Sequence, residues 1–116
     1  MQEVKIDENT KGVLVYAKLK KPQPWFYNVI ILVESLRYEA NFLGGFEHWN
    51  IYRHAFIKDS GDSHVETTPG CYGNLDNYIF YKPTKEQRDK MKALLAKRGY
   101  KFDKQNNKMI RVKCKK

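Results

Sequence analysis

The sequence predicts an α+β fold, in which an antiparallel β-meander (an open sheet or a small barrel) precedes one C-terminal helix and a terminal β-hairpin. Eight tyrosines and an aromatic share of 14% favour strands. Several segments alternate apolar and polar side chains, and one late segment carries both a helix start and a helix stop signal. The length of 116 residues and the apolar content of 41% suit a single domain over residues 1–116.

The first two strands are predicted over residues 13–20 and 25–33. The first of these segments alternates apolar and polar side chains. Pro22 and Pro24 separate the two strands, because proline cannot donate a hydrogen bond to a β ladder. The second segment is a dense apolar run with β-branched residues and no helical spacing, which is typical of a central strand buried on both faces.

A tight turn is predicted at Glu34 and Ser35, followed by a strand over residues 36–42. The clean alternation of this segment favours a strand, and a helix is the alternative given by the spacing of its apolar side chains. Gly44 and Gly45 then predict a hairpin turn, because glycine permits positive φ angles.

The next long strand is predicted over residues 46–57, and one of its faces is a candidate binding surface. That face alternates aromatic rings with hydrogen-bonding groups, an arrangement used to recognise single-stranded nucleic acids. Its residues are Phe46, His48, Asn50, Tyr52, His54 and Phe56. The candidate binding residues are His48, Tyr52 and His54, and the alternative is a second buried face.

Residues 58–76 are predicted to form a long loop, and residues 78–81 a short strand. A small hydrolase built around this loop, with Cys71 and His64 as candidate groups, is one alternative function. The acidic neighbours of Cys71 disfavour the thiolate, however. No metal-ligand spacing, phosphate loop or cofactor motif is present. We therefore predict no metal, no cofactor and no enzymatic activity.

The clearest local signal predicts a helix that starts after Thr84 and ends near Arg98. Thr84 and Gln87 have the spacing of a capping box. The apolar stripe of the helix consists of Met91, Leu94 and Leu95. Gly99 is the glycine expected immediately after the helix.

A terminal hairpin is predicted from strands at residues 100–103 and 108–113, with a turn at 105–107. On its inner face we expect Tyr100 and Phe102 to meet two apolar residues of the second strand, Ile110 and Val112. On its outer face, three basic residues are expected to face water: Lys101, Arg111 and Lys113.

Four stretches of the last third combine a Pro-Thr-x-Glu helix start, a Leu pair, an aromatic–Asp pair after a Gly, and a short closing strand. They are residues 81–88, 94–95, 99–103 and 108–110. This combination resembles a helix–hairpin module of small uncharacterised proteins of tailed phages and prophages. The resemblance implies an accessory protein of a phage or other mobile element, and it brings no catalytic residues. Residues 1–80 are assigned to no family.

Positive charge is concentrated late in the chain. The net charge is +9, and residues 82–116 hold 14 Lys and Arg against 3 acids, whereas residues 1–81 hold 8 against 10. Such a charge distribution attracts acidic partners. The candidate binding residues of this basic face are Lys85, Arg88, Lys92, Arg98, Lys101, Arg111 and Lys113. The alternative to partner binding is that the helix charges pair with one another, as Glu86–Lys90 and Asp89–Lys92.

We expect a non-enzymatic protein whose basic helix–hairpin face engages an acidic protein surface, such as that of a host defence or nucleic-acid-handling complex. Direct nucleic-acid binding, driven by counterion release, is the alternative. No apolar run reaches the roughly 20 residues of a membrane span, and the first residues lack an apolar signal region. The sequence therefore predicts a cytoplasmic protein, in the host cytoplasm if it is viral, with no membrane partner.

Overall fold

The computed structural model describes residues 2–24, 28–40, 47–59 and 64–112. The strands found there are β1 (Val13–Leu19), β2 (Val29–Ala40), β3 (Glu47–Lys58), β4 (Val65–Glu66), β5 (Gly70–Asn74), β6 (Tyr78–Tyr81), β7 (Tyr100–Asp103) and β8 (Lys108–Arg111). The helix α1 spans Lys85–Lys97, and a short 3₁₀ turn spans Leu75–Asn77. The predicted mixture of antiparallel strands with one late helix and a closing hairpin is confirmed.

The main sheet is antiparallel and open. Its strand order is β4–β3–β2–β1–β6, and β5 pairs with the edge of β3 that also carries β4. The 3₁₀ turn connects β5 to β6 directly, but no ladder joins these two described strands. Strands β7 and β8 form a separate two-stranded sheet. Of the two predicted forms, the open sheet is therefore the correct one.

Apolar side chains pack on both faces of the main sheet. On one face, Val15 and Ile31 are buried in a cluster that Tyr72 of β5 helps to cover. On the other face, Ile30 is buried together with Met91 and Leu95 of α1. Strand β2 therefore contributes to both clusters, and the prediction of a central buried strand is confirmed. Burial against this second cluster holds the helix on the sheet.

The predicted turn at Glu34 and Ser35 is wrong, because β2 continues through both residues. The pairing of β2 with β3 instead contains two register irregularities. Leu32 pairs with Ala55, the next pair joins Val33 to Arg53, and the pair after that joins Ser35 to Tyr52. A β-bulge of this kind reverses which face the following side chains occupy. The strand therefore stays continuous, although its sequence pattern changes phase in a way that imitates a break.

The predicted loop over residues 58–76 is also partly wrong. It contains β4, β5 and the start of the 3₁₀ turn. Both strands form on the free edge of β3, so their formation depends on a partner strand and not on local propensity. Arg53 of β3 supports the connection between them by donating a hydrogen bond to the carbonyl of Thr68. Residues 60–63 of this segment lie outside the described residues.

Strands β1, β3 and β6 confirm the predictions made for residues 13–20, 46–57 and 78–81. The predicted glycine turn at Gly44 and Gly45 lies outside the described residues, as do residues 25–27 of the second predicted strand. The helix α1 has 13 residues. Within the described ranges, no helix has the length and apolar character needed to cross a membrane.

Candidate binding groove between the helix and the hairpin

The capping box fixes the start of α1. The Thr84 hydroxyl accepts a hydrogen bond from the Gln87 amide at 3.1 Å, and the Gln87 side chain accepts one from the Thr84 amide at 2.9 Å. Met91 and Leu95 are buried and Leu94 is partly buried, as the predicted stripe requires. These contacts confirm the predicted cap and set which helix face remains exposed.

Gly99 turns the chain from α1 into the hairpin. Its φ of +80° lies in the left-handed region, which glycine adopts at little cost. The Gly99 amide bonds to the carbonyl of Ala96, and the Gly99 carbonyl accepts from the amide of Val112 at 2.8 Å. The residue after β8 is thus tied back to the end of α1, so helix and hairpin form one unit.

The predicted face assignment of the hairpin is wrong by one residue. Phe102 pairs with Met109, and Tyr100 pairs with Arg111. The turn has four residues, Lys104–Asn107, and not the three that were predicted. Because side chains alternate along a strand, this one-residue difference moves all of β8 to the opposite face. Met109 therefore packs inwards, whereas Ile110 and Val112 are exposed.

Asn107 closes the turn and anchors it to the main sheet. Its φ of +49° is in the left-handed region, which asparagine tolerates better than most residues. Its side-chain Nδ2 donates to the carbonyl of Glu34 at 3.0 Å, and its Oδ1 lies 3.0 Å from Nε2 of His54. Since Oδ1 is the acceptor, the geometry assigns the proton to Nε2 of His54. The hairpin is thereby fixed at the bulge of β2 and β3.

An open groove of about 730 Å³ lies between the last turns of α1 and the hairpin. Its lining is mostly apolar and includes Leu95, Ala96, Phe102 and Val112. Three exposed lysines also line it: Lys92, Lys101 and Lys104. Lys92 comes from the helix wall, while the other two come from the hairpin wall. The groove therefore combines an apolar floor with cations on two sides.

Three exposed cations of α1 lie in a row that ends at this groove. Lys85, Arg88 and Lys92 follow one another at spacings of three and four residues, which places them in one row along the helix surface. The next position of that row is Ala96, which lines the groove. This arrangement joins the predicted basic residues of the helix to the hairpin lysines.

These cations form no ion pair with any carboxylate of the described residues. The ion pairs Arg37–Glu34 and His64–Glu66 both lie outside the helix and hairpin. The pairs predicted as an alternative, Glu86–Lys90 and Asp89–Lys92, do not form. The cations of the helix row are therefore not held in ion pairs with the acids of the helix, Glu86 and Asp89.

Two of the predicted binding arginines make contacts within the protein. Arg98 donates a hydrogen bond to the carbonyl of Val65 at 2.9 Å and so ties the end of α1 to β4. The guanidinium of Arg111 lies 5.5 Å from the ring centre of Tyr100 and lowers the pKa of the Tyr100 hydroxyl. Lys113, the remaining predicted residue of the hairpin, lies outside the described residues.

The predicted aromatic face of β3 does not exist as one continuous surface, because the bulge divides it. His54 is buried and contacts Phe102 of the hairpin, with the two ring centres 5.3 Å apart. Phe56 packs on the opposite face of the sheet, where its ring contacts Tyr72. His48 and Tyr52 remain partly exposed on the part of β3 before the bulge. These residues do not form a stacking platform with His54.

Tyr52 belongs to a small polar cluster away from the groove. The Arg37 guanidinium lies 4.0 Å from the centre of its ring, and hydrogen bonding to Glu39 raises the pKa of the Tyr52 hydroxyl. The pKa of the neighbouring Cys71 thiol is raised by burial and then by the charge of Glu39. Both effects disfavour the thiolate, which is the nucleophilic form of cysteine. No group of three or more metal-ligating side chains occurs among the residues that the structure describes.

Sequence reasoning missed Lys104, Ala96 and Val112 as residues of the groove. Lys104 carries a detectable signal, because it is a basic residue in the predicted hairpin connection and next to Asp103. Ala96 and Val112 carry none: one is an ordinary helix alanine, and the other was assigned to the inner face by the incorrect register. The groove itself depends on how the helix and hairpin pack.

Comparisons with known proteins found no matching family model, no matching curated protein and no matching solved structure.

Proposed function

We propose that the protein is a non-enzymatic binding module that engages an acidic protein partner through its helix–hairpin face. The observation that carries this proposal is the convergence of Lys92, Lys101 and Lys104 from two walls onto one groove, with no ion-pairing carboxylate among the described residues. Lysines that line one groove and are not held in ion pairs attract an acidic surface and orient it as it approaches. The resemblance to phage and prophage modules fits an accessory protein of this kind.

An acidic protein fits the surface better than nucleic acid. Arginine is the preferred residue for bidentate contacts to phosphates and guanine, but Arg98 and Arg111 are already engaged within the protein. The groove floor is apolar, whereas nucleic-acid interfaces are more polar than protein interfaces. A small hydrolase gains no support from the pKa of Cys71, which is raised.

The test compares two charge-reversal variants that change the net charge equally. The first replaces Lys92, Lys101 and Lys104 with Glu. The matched control replaces three exposed lysines outside the helix and hairpin with Glu, namely Lys11, Lys18 and Lys20. Binding of labelled polyglutamate and of single- and double-stranded DNA and RNA is measured across a salt series, with far-ultraviolet circular dichroism as the check on folding.

We expect the groove variant to lose at least about tenfold in affinity for polyglutamate and the control to lose much less, because the attraction is local. Equal losses in both variants would overturn the proposal, since only total charge would then matter. Tighter binding of a nucleic acid than of polyglutamate, with loss confined to the groove variant, would replace it with direct nucleic-acid binding. Such binding falls steeply with salt.

A further inference from the structure

We infer that the groove between α1 and the hairpin is a docking site for a short amphipathic helix of the partner, with an apolar stripe flanked by Glu or Asp on both sides. This inference rests on the proposed function, because it names the part of the acidic partner that enters the groove. Helices that place an apolar face in a groove form a general mode of peptide recognition.

The apolar character of the groove extends onto the outer face of the hairpin. Val112, which lines the groove, is 50% exposed, and Ile110 on the same strand face is 39% exposed. The only other large hydrophobic residue that is exposed among the described residues is Tyr38, at 55%. Two of these three residues therefore lie at the end of the hairpin, where they extend the apolar surface of the groove.

The size and shape of the groove suit a few apolar side chains on a helical segment. Its volume of about 730 Å³ is within the range of sites that enclose a compact ligand. Ala96 and Gly99 line its helix wall, and their small size allows another backbone to approach closely. A helix presents side chains at spacings of three and four residues along one stripe, so two or three of them can enter together.

The positions of the lysines favour a helix over an extended strand. Lys92 stands on one wall, and Lys101 and Lys104 stand on the other. An amphipathic helix with its apolar stripe in the groove directs the flanking carboxylates towards both walls. An extended strand alternates its side chains between opposite faces, so with apolar residues in the groove its carboxylates point away from the walls. Charge complementarity therefore selects the helix.

The experiment uses the full chain and three fluorescent synthetic peptides of about 18 residues, long enough for a helix to form. The first has Leu at helical spacing and Glu on both flanks. The second has the same composition in a scrambled order, so that charge is kept and the apolar stripe is lost. The third replaces each Glu with Lys. Fluorescence anisotropy gives the dissociation constants.

The decisive variant fills the groove without changing charge. Ala96→Trp places a large ring in the groove, and Ala93→Trp is the matched control because Ala93 is also an exposed helix alanine but does not line the groove. The charge-reversal variant and its control described above are measured alongside. Thermal melts establish that all variants remain folded.

We expect the amphipathic acidic peptide to bind at least about tenfold more tightly than either other peptide, with that advantage removed by Ala96→Trp and kept by Ala93→Trp. Equal binding of the acidic and scrambled peptides, or no effect of Ala96→Trp, would overturn the inference that an amphipathic helix occupies the groove. So would the absence of binding by all three peptides. If charge reversal in the groove still abolishes polyglutamate binding in those cases, the proposed function stands and only this inference fails.

Discussion

The imidazole of His54 and the side-chain amide of Asn107 are 53 positions apart in the chain, yet their Nε2 and Oδ1 atoms lie 3.0 Å apart. Asn107 also donates to the backbone carbonyl of Glu34. These two hydrogen bonds attach the hairpin turn to the bulge of the long β2–β3 ribbon. One wall of the groove is therefore held by a polar contact at the very place where the sheet departs from regular pairing.

We predict that Asn107→Gly lowers the free energy of unfolding by about 1–2 kcal/mol, because the carbonyl of Glu34 and the imidazole of His54 lose their partner. The backbone at this position has a positive φ, which glycine tolerates, so the variant introduces no backbone strain. Urea unfolding measures the change. Hydrogen exchange of the β7 and β8 amides should accelerate at the same time.

Gln105→Gly is the control for this change, since Gln105 is an exposed residue of the same turn. It should leave the exchange of β7 and β8 close to that of the native chain. If both variants accelerate exchange equally, the turn backbone, and not the Asn107 side chain, holds the hairpin.

The Cys71 thiol should react slowly with iodoacetamide at neutral pH. Burial and then the charge of Glu39 raise its pKa, and only the thiolate is reactive. In a Cys114→Ser background, we expect Glu39→Gln to lower the pKa of Cys71 and to accelerate alkylation severalfold. Glu47→Gln, at an exposed position of β3, should leave the rate unchanged. A native rate above that of free cysteine would contradict the prediction.

The stability of the fold should fall in alkaline solution, in part through Tyr16. Burial and a hydrogen bond to Asp59 raise the pKa of Tyr16 to about 12 from its ordinary value of 10.0. Between these values the unfolded chain releases the phenolic proton while the folded chain retains it. The contribution of Tyr16 is thus fully present below about pH 10 and is lost as the pH rises towards about 12.

Tyr16→Phe should therefore make the free energy of unfolding less dependent on pH across that interval, and Tyr38→Phe, at an exposed tyrosine, is the control. Urea unfolding over a series of alkaline buffers measures both. The free energy of unfolding will still depend on pH in this variant, because burial also raises the pKa of Tyr72 and of Tyr78. If the pH dependence of the unfolding free energy is the same in Tyr16→Phe as in the native chain, the Tyr16 hydroxyl ionises alike in the folded and unfolded states.

Elements whose signals are local were predictable from the sequence. The capping box at Thr84 and Gln87 and the glycine stop at Gly99 depend on residues within one helical turn, and the structure has all three as expected. The buried run Val29–Val33 was recognisable because a strand covered on both faces is apolar throughout.

Elements that depend on a distant partner were not predictable. The alternation of apolar and polar side chains changes phase at Glu34, and this change forms a bulge because β3 pairs with β2 there. The segment β5 is a strand because it pairs with the edge of β3. The face of Val112 depended on one residue of turn length, which Asn107 sets by adopting a positive φ. The shape of the groove depends on such long-range packing and on the hairpin register. The sequence therefore indicated the charge of the groove and not its shape.

Every residue that lines the groove lies between Lys92 and Val112, whereas the sheet that supports it comes from earlier in the chain. The scaffold meets this stretch mainly through a few buried side chains and the contacts of Asn107. A substitution among the exposed lining residues can therefore change the groove without changing the residues of the sheet. Such a division makes the shape and charge of the groove largely independent of the residues that build the sheet.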